Sequence, residues 1–209
     1  MLTRKGWEGA LERVVVSVDP RVQRALIGPF TAPDRRALFT GDRVAIETSG
    51  GRPIDVRFNP RAALSEHDCH TSWDAVDLAY FTGCAMWTSL TVPFLLNEPG
   101  FVTEELEPWQ EDGETWRRLR AAFPDRIVCQ NREQVFYFGP EGLLRRHDYT
   151  MEVVGNLPTA DYTDDHQLFG GIRFPTLRRV VRRLPDGLTE PEPAFFAVDI
   201  ADITVASRE

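Results

Sequence analysis

The sequence predicts an α+β fold in which a curved antiparallel β half-barrel of about eight to eleven strands wraps around one or more helices. Three observations predict this fold. Two alternating apolar runs are joined by Gly50-Gly51, an uncharged segment runs from Leu78 to Asn97, and short apolar runs separated by hairpin-length turns follow Phe101. Strands linked in this way form an antiparallel meander, which curls to bury its apolar face.

The totals describe an ordinary globular chain. With 209 residues, of which 42% are hydrophobic and 27% charged, the chain suits a single domain, residues 1–209, with residues 1–40 as a helical or irregular segment packing on the barrel. The net charge of −8 argues against a nucleic-acid partner, because binding phosphates requires a basic face. The basic run Arg178 to Arg183 is interpreted as a solvated strand edge, with a functional anion site as the alternative. Nothing in the sequence indicates an oligomeric state.

The cysteine content and the N-terminus indicate a cytoplasmic protein. Three cysteines do not make a disulfide framework, which favours a reducing compartment. Charged residues such as Glu8 and Glu12 interrupt the stretch that would have to be the apolar core of a signal peptide.

The first elements are of unequal clarity. Residues from Trp7 to Val18 fit a helix or contain a Val-Val-Val strand, and Asp19-Pro20 is typical of the start of a short helix through Leu26. From Gly41 onwards, apolar and polar residues alternate with a period of two. The runs around Val44 and Ile46, and around Ile54, Val56 and Phe58, predict a hairpin whose turn contains the two glycines.

The uncharged segment predicts a helix from Trp73 to about Leu90 with Ser72 as its N-cap. Hydroxyl residues such as Thr82, and Pro93 near the end, argue against a membrane span. Apolar side chains nearly encircle this helix, so it must be covered on more than one side. Two interpretations stay open: the helix fills the core of the curved sheet, or helix and sheet leave a cavity between them.

The remaining strands are predicted from short apolar runs. They are Phe101 to Glu107, Trp116 to Phe123, Gln134 to Phe138, Leu143 to Val154, His166 to Phe174, Leu177 to Leu184 and Phe195 to Val205. Gly170-Gly171 inside a strand pattern predicts a bulge. The acidic stretch around Pro108-Trp109 is interpreted as a solvated loop over one end of the barrel.

Two motifs resemble the lipoprotein-carrier (LolA-like) superfamily. They are the strand-turn-strand ending in Arg146-His147-Asp148-Tyr149, and the step from Gly170-Gly171 to Pro175. The resemblance covers most of the chain after Gly41, and the chain also looks like uncharacterised actinobacterial proteins. It implies an incomplete antiparallel barrel closed by helices, with apolar space between them that holds acyl chains or other lipophilic molecules. The sequence differs from those of the exported carriers in that no signal peptide is expected.

Three side chains are the candidate polar groups of a site. Period-two phasing from Leu143 to Met151 places His147 and Tyr149 on one face, and the same count aligns His166 with an apolar face. Together they could bind a polar head group or transfer a proton, or each could be a hydrogen-bonded core residue without further role. His147 and Asp148 face opposite ways and do not form a dyad.

No metal or cofactor is predicted. The only metal-like cluster, His67-Asp68-Cys69-His70, lacks a second group at ligand spacing, and it is interpreted as a loop in which Asp68 or Ser72 caps the helix. The sequence contains no nucleophile elbow, P-loop or dinucleotide fingerprint.

Two hypotheses about function follow. The first is binding of a lipophilic small molecule, such as an acyl chain, a polyketide or an isoprenoid of secondary metabolism. The second is a cofactor-free cyclase, isomerase or hydrolase that acts in the same cavity, with His147, His166 and Tyr149 as catalytic residues. In both, the contact area comes from apolar side chains: Phe81, Met86, Trp87, Phe94, Phe136, Phe138 and Phe174.

Overall fold

A computed structural model describes residues 2–64, 67–68 and 70–206. It contains three α-helices: α1 (Leu2–Lys5), α2 (Pro60–Ala63) and α3 (Ala75–Thr91). The first five strands are β1 (Val15–Asp19), β2 (Arg24–Gly28), β3 (Arg35–Phe39), β4 (Arg43–Thr48) and β5 (Pro53–Phe58). Eight more follow: β6 (Val102–Glu111), β7 (Glu114–Ala122), β8 (Glu133–Phe138), β9 (Leu144–Met151), β10 (Leu157–Phe169), β11 (Ile172–Arg183), β12 (Thr189–Glu190) and β13 (Phe196–Asp199).

The strands form two antiparallel sheets, which confirms the predicted fold class of a curved half-barrel around a helix. One sheet has five strands in the order β1 to β5, and the other has eight, running from β12 through β11 and back to β6, with β13 also paired to β11. Neither sheet closes on itself. The strands number thirteen rather than eight to eleven because the N-terminal region also folds as strands.

The prediction of helical or irregular structure for residues 1–40 is wrong for β1, β2 and β3. Asp19, predicted to cap a short helix, ends β1, and the following residues from Pro20 to Gln23 form the turn that leads into β2. The reason is burial across a sheet: Ala25 and Ile27 of β2 are fully buried beneath α3, and tertiary packing of this kind overrides a local helix-start signal. The hairpin of β4 and β5 is confirmed.

The long helix begins two residues later than predicted, and its cap is a different residue. Asp74 is the N-cap: its side chain accepts a hydrogen bond from the backbone N–H of Asp77, whose own carboxylate accepts one from the N–H of Asp74. This reciprocal capping box leaves no role for Ser72 or Asp68 as caps. Asp68 instead accepts hydrogen bonds from the backbone of His70 and Thr71 in the preceding loop.

Helix α3 lies between the two sheets. On one side Gly83 and Tyr80 meet Phe39 of β3, whose ring centroid lies 6.0 Å from that of Tyr80. On the other side the Cys84 thiol lies 3.6 Å from the Val128 carbonyl oxygen, and the rings of Phe81 and Phe196 are 5.2 Å apart. The helix therefore receives the two-sided cover that its apolar surface requires.

Three predictions about the larger sheet are wrong. Gly170 and Gly171, with φ of 55° and 85°, form the two-residue turn between β10 and β11 and not a bulge. The acidic stretch around Trp109 is the β6–β7 hairpin, whose pairing is interrupted only between Leu106 and Trp109. The run Arg178 to Arg183 lies in β11, which is paired on both sides and is therefore not an edge strand. Arg178 is buried against a carboxylate and not solvated.

Within the described residues, the structure contains no helix with the length and apolar character of a membrane span.

The contact between Gly83 and Phe39 yields a test of the packing of α3. A methyl group at position 83 would lie 2.4 Å from Cβ of Phe39. Alanine normally stabilises a helix interior by about 1 kcal/mol over glycine, but here we expect Gly83→Ala to destabilise the protein by about 1–3 kcal/mol in urea unfolding, because the overlap is with a buried ring. Gly50→Ala, whose Cβ meets nothing closer than 3.8 Å, is the control and should change stability by less than about 0.5 kcal/mol. A stabilised Gly83→Ala protein would show that α3 is not held this close to β3.

Candidate functional site

The face of the larger sheet that points to α3, called the inner face here, carries a buried aromatic group. His147 stacks on Phe136 with 4.3 Å between ring centroids, and Tyr149 lies 4.8 Å from His147. Phe136 is fully buried, and the other two are more than nine-tenths buried. Alternation along β9 thus brings His147 and Tyr149 together as predicted, and their roles stay predictions.

His147 is a neutral imidazole. Its Nε2 lies 2.6 Å from Oε1 of Gln134, and burial lowers the pKa of the ring well below 6.5, with a smaller effect of the positive charge of Arg178. Since Oε1 of Gln134 can only accept, a neutral ring that makes this bond carries its proton on Nε2. Nδ1 is then left as the basic atom.

Beside this group lies a buried ion pair. Arg178 donates to Oδ2 of Asp161 from Nε at 3.1 Å and from a terminal nitrogen at 2.5 Å. The second carboxylate oxygen, Oδ1, is buried and has no hydrogen-bond partner within the described part of the chain. Burial raises the pKa of Asp161, and burial and the charge of Asp161 both raise the pKa of Tyr149. The inner face therefore holds one acceptor atom with unused capacity.

His166 does not join this group. It pairs with Pro175 beyond Asp165, whose left-handed backbone (φ 50°) interrupts the β10–β11 pairing, and counting along β11 places Pro175 on the side opposite to Arg178. It is half-buried, and burial lowers its pKa. The predicted site of two histidines and a tyrosine is therefore reduced to His147 and Tyr149.

The predicted contact residues separate by burial. Phe81, Trp87 and Phe136 are buried in the layer between α3 and the sheets. Met86, Phe138 and Phe174 are half-buried, and Phe174 contacts Phe169 in the outer part of the β10–β11 hairpin. Phe94 is 59% exposed in a 3-10 turn after α3, so the structure does not bring it to the site.

The opposite face of the sheet, called the outer face here, holds a charged network that the sequence did not reveal. Arg146 is completely buried and donates to both oxygens of Asp148, at 2.6 and 2.9 Å, and to Glu111 at 2.9 Å. A further donor reaches the carbonyl oxygen of Gly187 at 2.7 Å. The Tyr137 hydroxyl donates to Asp148 at 2.8 Å, so both oxygens of the Asp148 carboxylate accept hydrogen bonds.

A pocket of about 280 Å³ opens above this network. Strands β6 to β9 and β11 and the turn at Gly187 form it; six of its lining residues are Trp109, Arg118, Tyr137, Asp148, Arg183 and Gly187. The turn closes against Trp109, because a Cβ at Gly187 would lie 2.9 Å from the edge of that indole. Arg118 lies over the ring of Trp109 at 5.5 Å and that of Tyr137 at 6.0 Å.

One signal in the sequence could have indicated this network. The same alternation that places His147 and Tyr149 inward places Arg146 and Asp148 together on the other face, as an arginine and an aspartate two residues apart. The third member, Glu111, comes from a hairpin 35 residues away, and local patterning does not reveal that contact.

Among the described residues no group of three or more histidine, cysteine or acidic side chains could hold a metal ion. Cys69 of the candidate cluster lies outside the described residues. Cys84 and Cys129 are buried free thiols, and burial raises the pKa of Cys129 to about 11.

No protein-family model and no curated protein matches the sequence. The fold is similar to the crystal structure of a LolA superfamily protein from Nitrosomonas europaea, at 13% identity and a TM-score of 0.48, over 89% of this chain and 74% of that one. It is also similar to a DUF1329 family protein from Desulfovibrio piger, at 15% identity and a TM-score of 0.43, over 78% of this chain and 65% of that one. At these values the likeness concerns the fold alone.

The neutral state of His147 yields a pH test. The folded-state pKa of His147 lies well below the ordinary value of 6.5. Below about pH 6.5 this histidine therefore binds a proton in the unfolded chain but not in the folded chain. The stability that depends on neutral His147 is therefore present above about pH 6.5 and is lost as the pH falls toward the folded-state pKa, by up to about 1.4 kcal/mol per pH unit. We expect His147→Gln to remove this slope in urea unfolding between pH 7 and pH 5.

The control for this test is His70→Gln, in an exposed loop. This variant should keep the slope of the wild-type protein. A His147→Gln protein with the wild-type slope would contradict the buried neutral imidazole.

Proposed function

We propose that the protein binds a lipophilic small molecule, such as an acyl chain, a polyketide or an isoprenoid, in the layer between α3 and the inner face of the larger sheet. The observation that carries the proposal is the unsatisfied Oδ1 of Asp161, buried beside the aromatic layer of Phe136, His147 and Tyr149. A buried acceptor without a donor costs about 1–3 kcal/mol, and a ligand hydroxyl or acid proton would supply the donor. Apolar pockets with few polar groups are typical of such sites.

The ligand's polar end has a defined place in this proposal. The Tyr149 ring projects from the same face as His147, and its hydroxyl is a donor at any ordinary pH because burial raises its pKa. One polar head group can therefore accept from Tyr149 and donate to Asp161. The apolar body would lie along the aromatic side chains of α3.

The short strand β13 is the proposed cover of the layer. It has four residues, pairs with β11, and places Phe196 against Phe81 of α3. A four-residue strand has few ladder hydrogen bonds, so its release is among the least costly openings of such a sheet. Moving β13 would uncover Phe81 and the neighbouring Arg178, which pairs with Val198.

Catalysis in the same layer is a second candidate, and the neutral state of His147 favours it. An unprotonated imidazole next to a phenol provides a base and a proton donor for a cyclisation, isomerisation or hydrolysis. In this case His147 and Tyr149 are the proposed catalytic pair, without His166. If a co-purified molecule is a substrate, His147→Gln should abolish its conversion and leave its binding measurable. The cytoplasmic location stays a prediction.

Native mass spectrometry of the protein purified from its host tests the binding proposal. We expect a bound mass that is lost on denaturation and that extracts into organic solvent. A native mass equal to that of the chain alone, together with failure to take up a dansylated fatty acid, would mean that side chains fill the layer, and the proposal would be abandoned.

The dansylated fatty acid also tests the polar anchor. Tyr149→Phe should weaken its binding about fivefold, the usual effect of one neutral hydrogen bond, and Phe196→Ala should speed its dissociation by loosening the cover. Tyr162→Phe removes the same hydroxyl from the outer face and should leave the affinity unchanged. Equal effects of the two tyrosine variants would indicate a general loss of stability and contradict the placement of the ligand.

A further inference from the structure

The pocket on the outer face and the proposed lipophile site lie on opposite faces of the larger sheet, and Tyr149 of β9 borders both. Its floor is the Arg146 network, in which the charged groups are paired with one another. Arg146 has two carboxylate partners, and Asp148 accepts from Arg146 twice and from Tyr137. The floor thus offers a ligand no free positive charge, and both oxygens of Asp148 already accept hydrogen bonds.

Two other guanidinium groups of the pocket, those of Arg183 and Arg118, differ from Arg146 in having hydrogen-bond donors that are not used by any described residue. Nε of Arg183 is buried and has no hydrogen-bond partner among the described residues; its nearest carboxylate oxygen, Oδ2 of Asp148, is 3.6 Å away and already accepts from Arg146 and Tyr137. Arg118 donates from Nε to the carbonyl oxygen of Glu107 at 2.6 Å, and within the described residues no carboxylate forms an ion pair with it. Both side chains line the pocket with donor capacity to spare.

The rim of the pocket limits the charge of a ligand. Glu133 and Asp186 also line it, but both are exposed. Asp186 accepts a hydrogen bond from the backbone of Leu188 in its own turn, and Glu133 lies near Arg120. Two exposed carboxylates at the opening repel polyanions more strongly than a single negative charge. The arrangement therefore favours a monoanion over a phosphate or polyphosphate.

The walls determine the shape of the ligand. Trp109 and Tyr137 present aromatic surface, and the close approach of Gly187 to Trp109 narrows the pocket at the turn. A volume of about 280 Å³ lies at the lower end for small-molecule sites. A flat molecule with a carboxylate matches both the walls and the two arginines, because guanidinium groups bind carboxylates in a planar fork.

We propose that the outer pocket binds a small planar monocarboxylate, with Arg118 and Arg183 holding the carboxylate and Trp109 and Tyr137 enclosing the flat body. The ligand class is thus an aromatic or conjugated acid, chemically distinct from the long lipophile assigned to the inner face. Occupation of this pocket would satisfy the buried donor of Arg183.

Benzoate is the probe for this site. In the full-length protein we expect saturable benzoate binding, measured by calorimetry and by saturation transfer to the ring protons, with a change in Trp109 fluorescence. Arg183→Gln and Arg118→Gln should each weaken binding about tenfold or more, the loss of a charge-assisted hydrogen bond. Arg117→Gln is the matched control: Arg117 is the neighbour of Arg118 on β7, is exposed and pairs with Glu105, so the affinity should not change.

Benzyl alcohol and inorganic phosphate complete the test. Benzyl alcohol, which lacks the charge, and phosphate, which lacks the ring, should both bind more weakly than benzoate. Benzyl alcohol binding as tightly as benzoate, phosphate binding more tightly, or the absence of saturable benzoate binding would each overturn the proposal.

Melting curves accompany the variants; if Arg183→Gln does not fold, Arg118→Gln and Arg183→Lys carry the test, the latter because it keeps the charge and loses the fork. Benzoate should not displace the dansylated fatty acid, so failure at either site is distinguishable from failure at the other.

Discussion

The structure depends on the packing of α3 between two sheets. A helix that is apolar nearly all round gains little from one sheet, because the opposite side would keep its apolar surface in water. The five-stranded sheet contacts α3 closely at Gly83, where only hydrogen fits against Phe39. That close approach leaves the other side of the helix, with Phe81 and Cys84, for the larger sheet. The inner face of the larger sheet therefore lies on this side of the helix.

Two buried arginine–aspartate pairs lie on opposite faces of the larger sheet, and they differ in completeness. Burying an ion pair costs several kcal/mol per charge, which is offset only when the remaining donors and acceptors are also bonded. Arg146 and Asp148 meet this condition through Glu111, Tyr137 and the Gly187 carbonyl. The pair of Arg178 and Asp161 does not, since one carboxylate oxygen has no donor in the part of the chain that the structure describes. The first pair therefore fits a structural role, and the second is the place where a ligand would make a difference.

Much of the fold was predictable, for reasons that particular elements show. The β4–β5 hairpin carries its own signals, with alternation and two glycines, and α3 carries a long uncharged run; both depend on local sequence. The strands β1 to β3 were missed because Asp19-Pro20 is a strong local helix start and the burial of Ala25 and Ile27 is a tertiary effect. Gly170-Gly171 was assigned to a bulge because the length of β10, which begins at Leu157, was not apparent from its mixed polar residues. The division of the chain into one domain stays a prediction.

The candidate site was predictable only as far as one strand extends. Alternation within β9 correctly separated His147 from Asp148, since neighbouring residues on a strand face opposite sides. It could not determine the face of His166, because phase does not carry from one strand to the next without the register, and β10 pairs so that His166 lies opposite to Asp161. Nor could it show that Arg183, in the basic run already noted in the sequence, reaches Asp148 across β10.

The same alternation explains how a single strand serves two chemically different surfaces. Its inward residues meet an apolar layer and lose their charge, as the lowered pKa of His147 records. Its outward residue Asp148 meets arginine: burial raises the pKa of Asp148, and Arg146 opposes that shift by supplying two donors within 2.9 Å. A lipophile and a carboxylate require these two opposite environments, and the two faces of one sheet can present both. Tyr149 borders both sites. The two proposed sites are therefore separable by mutation although their residues are adjacent in sequence.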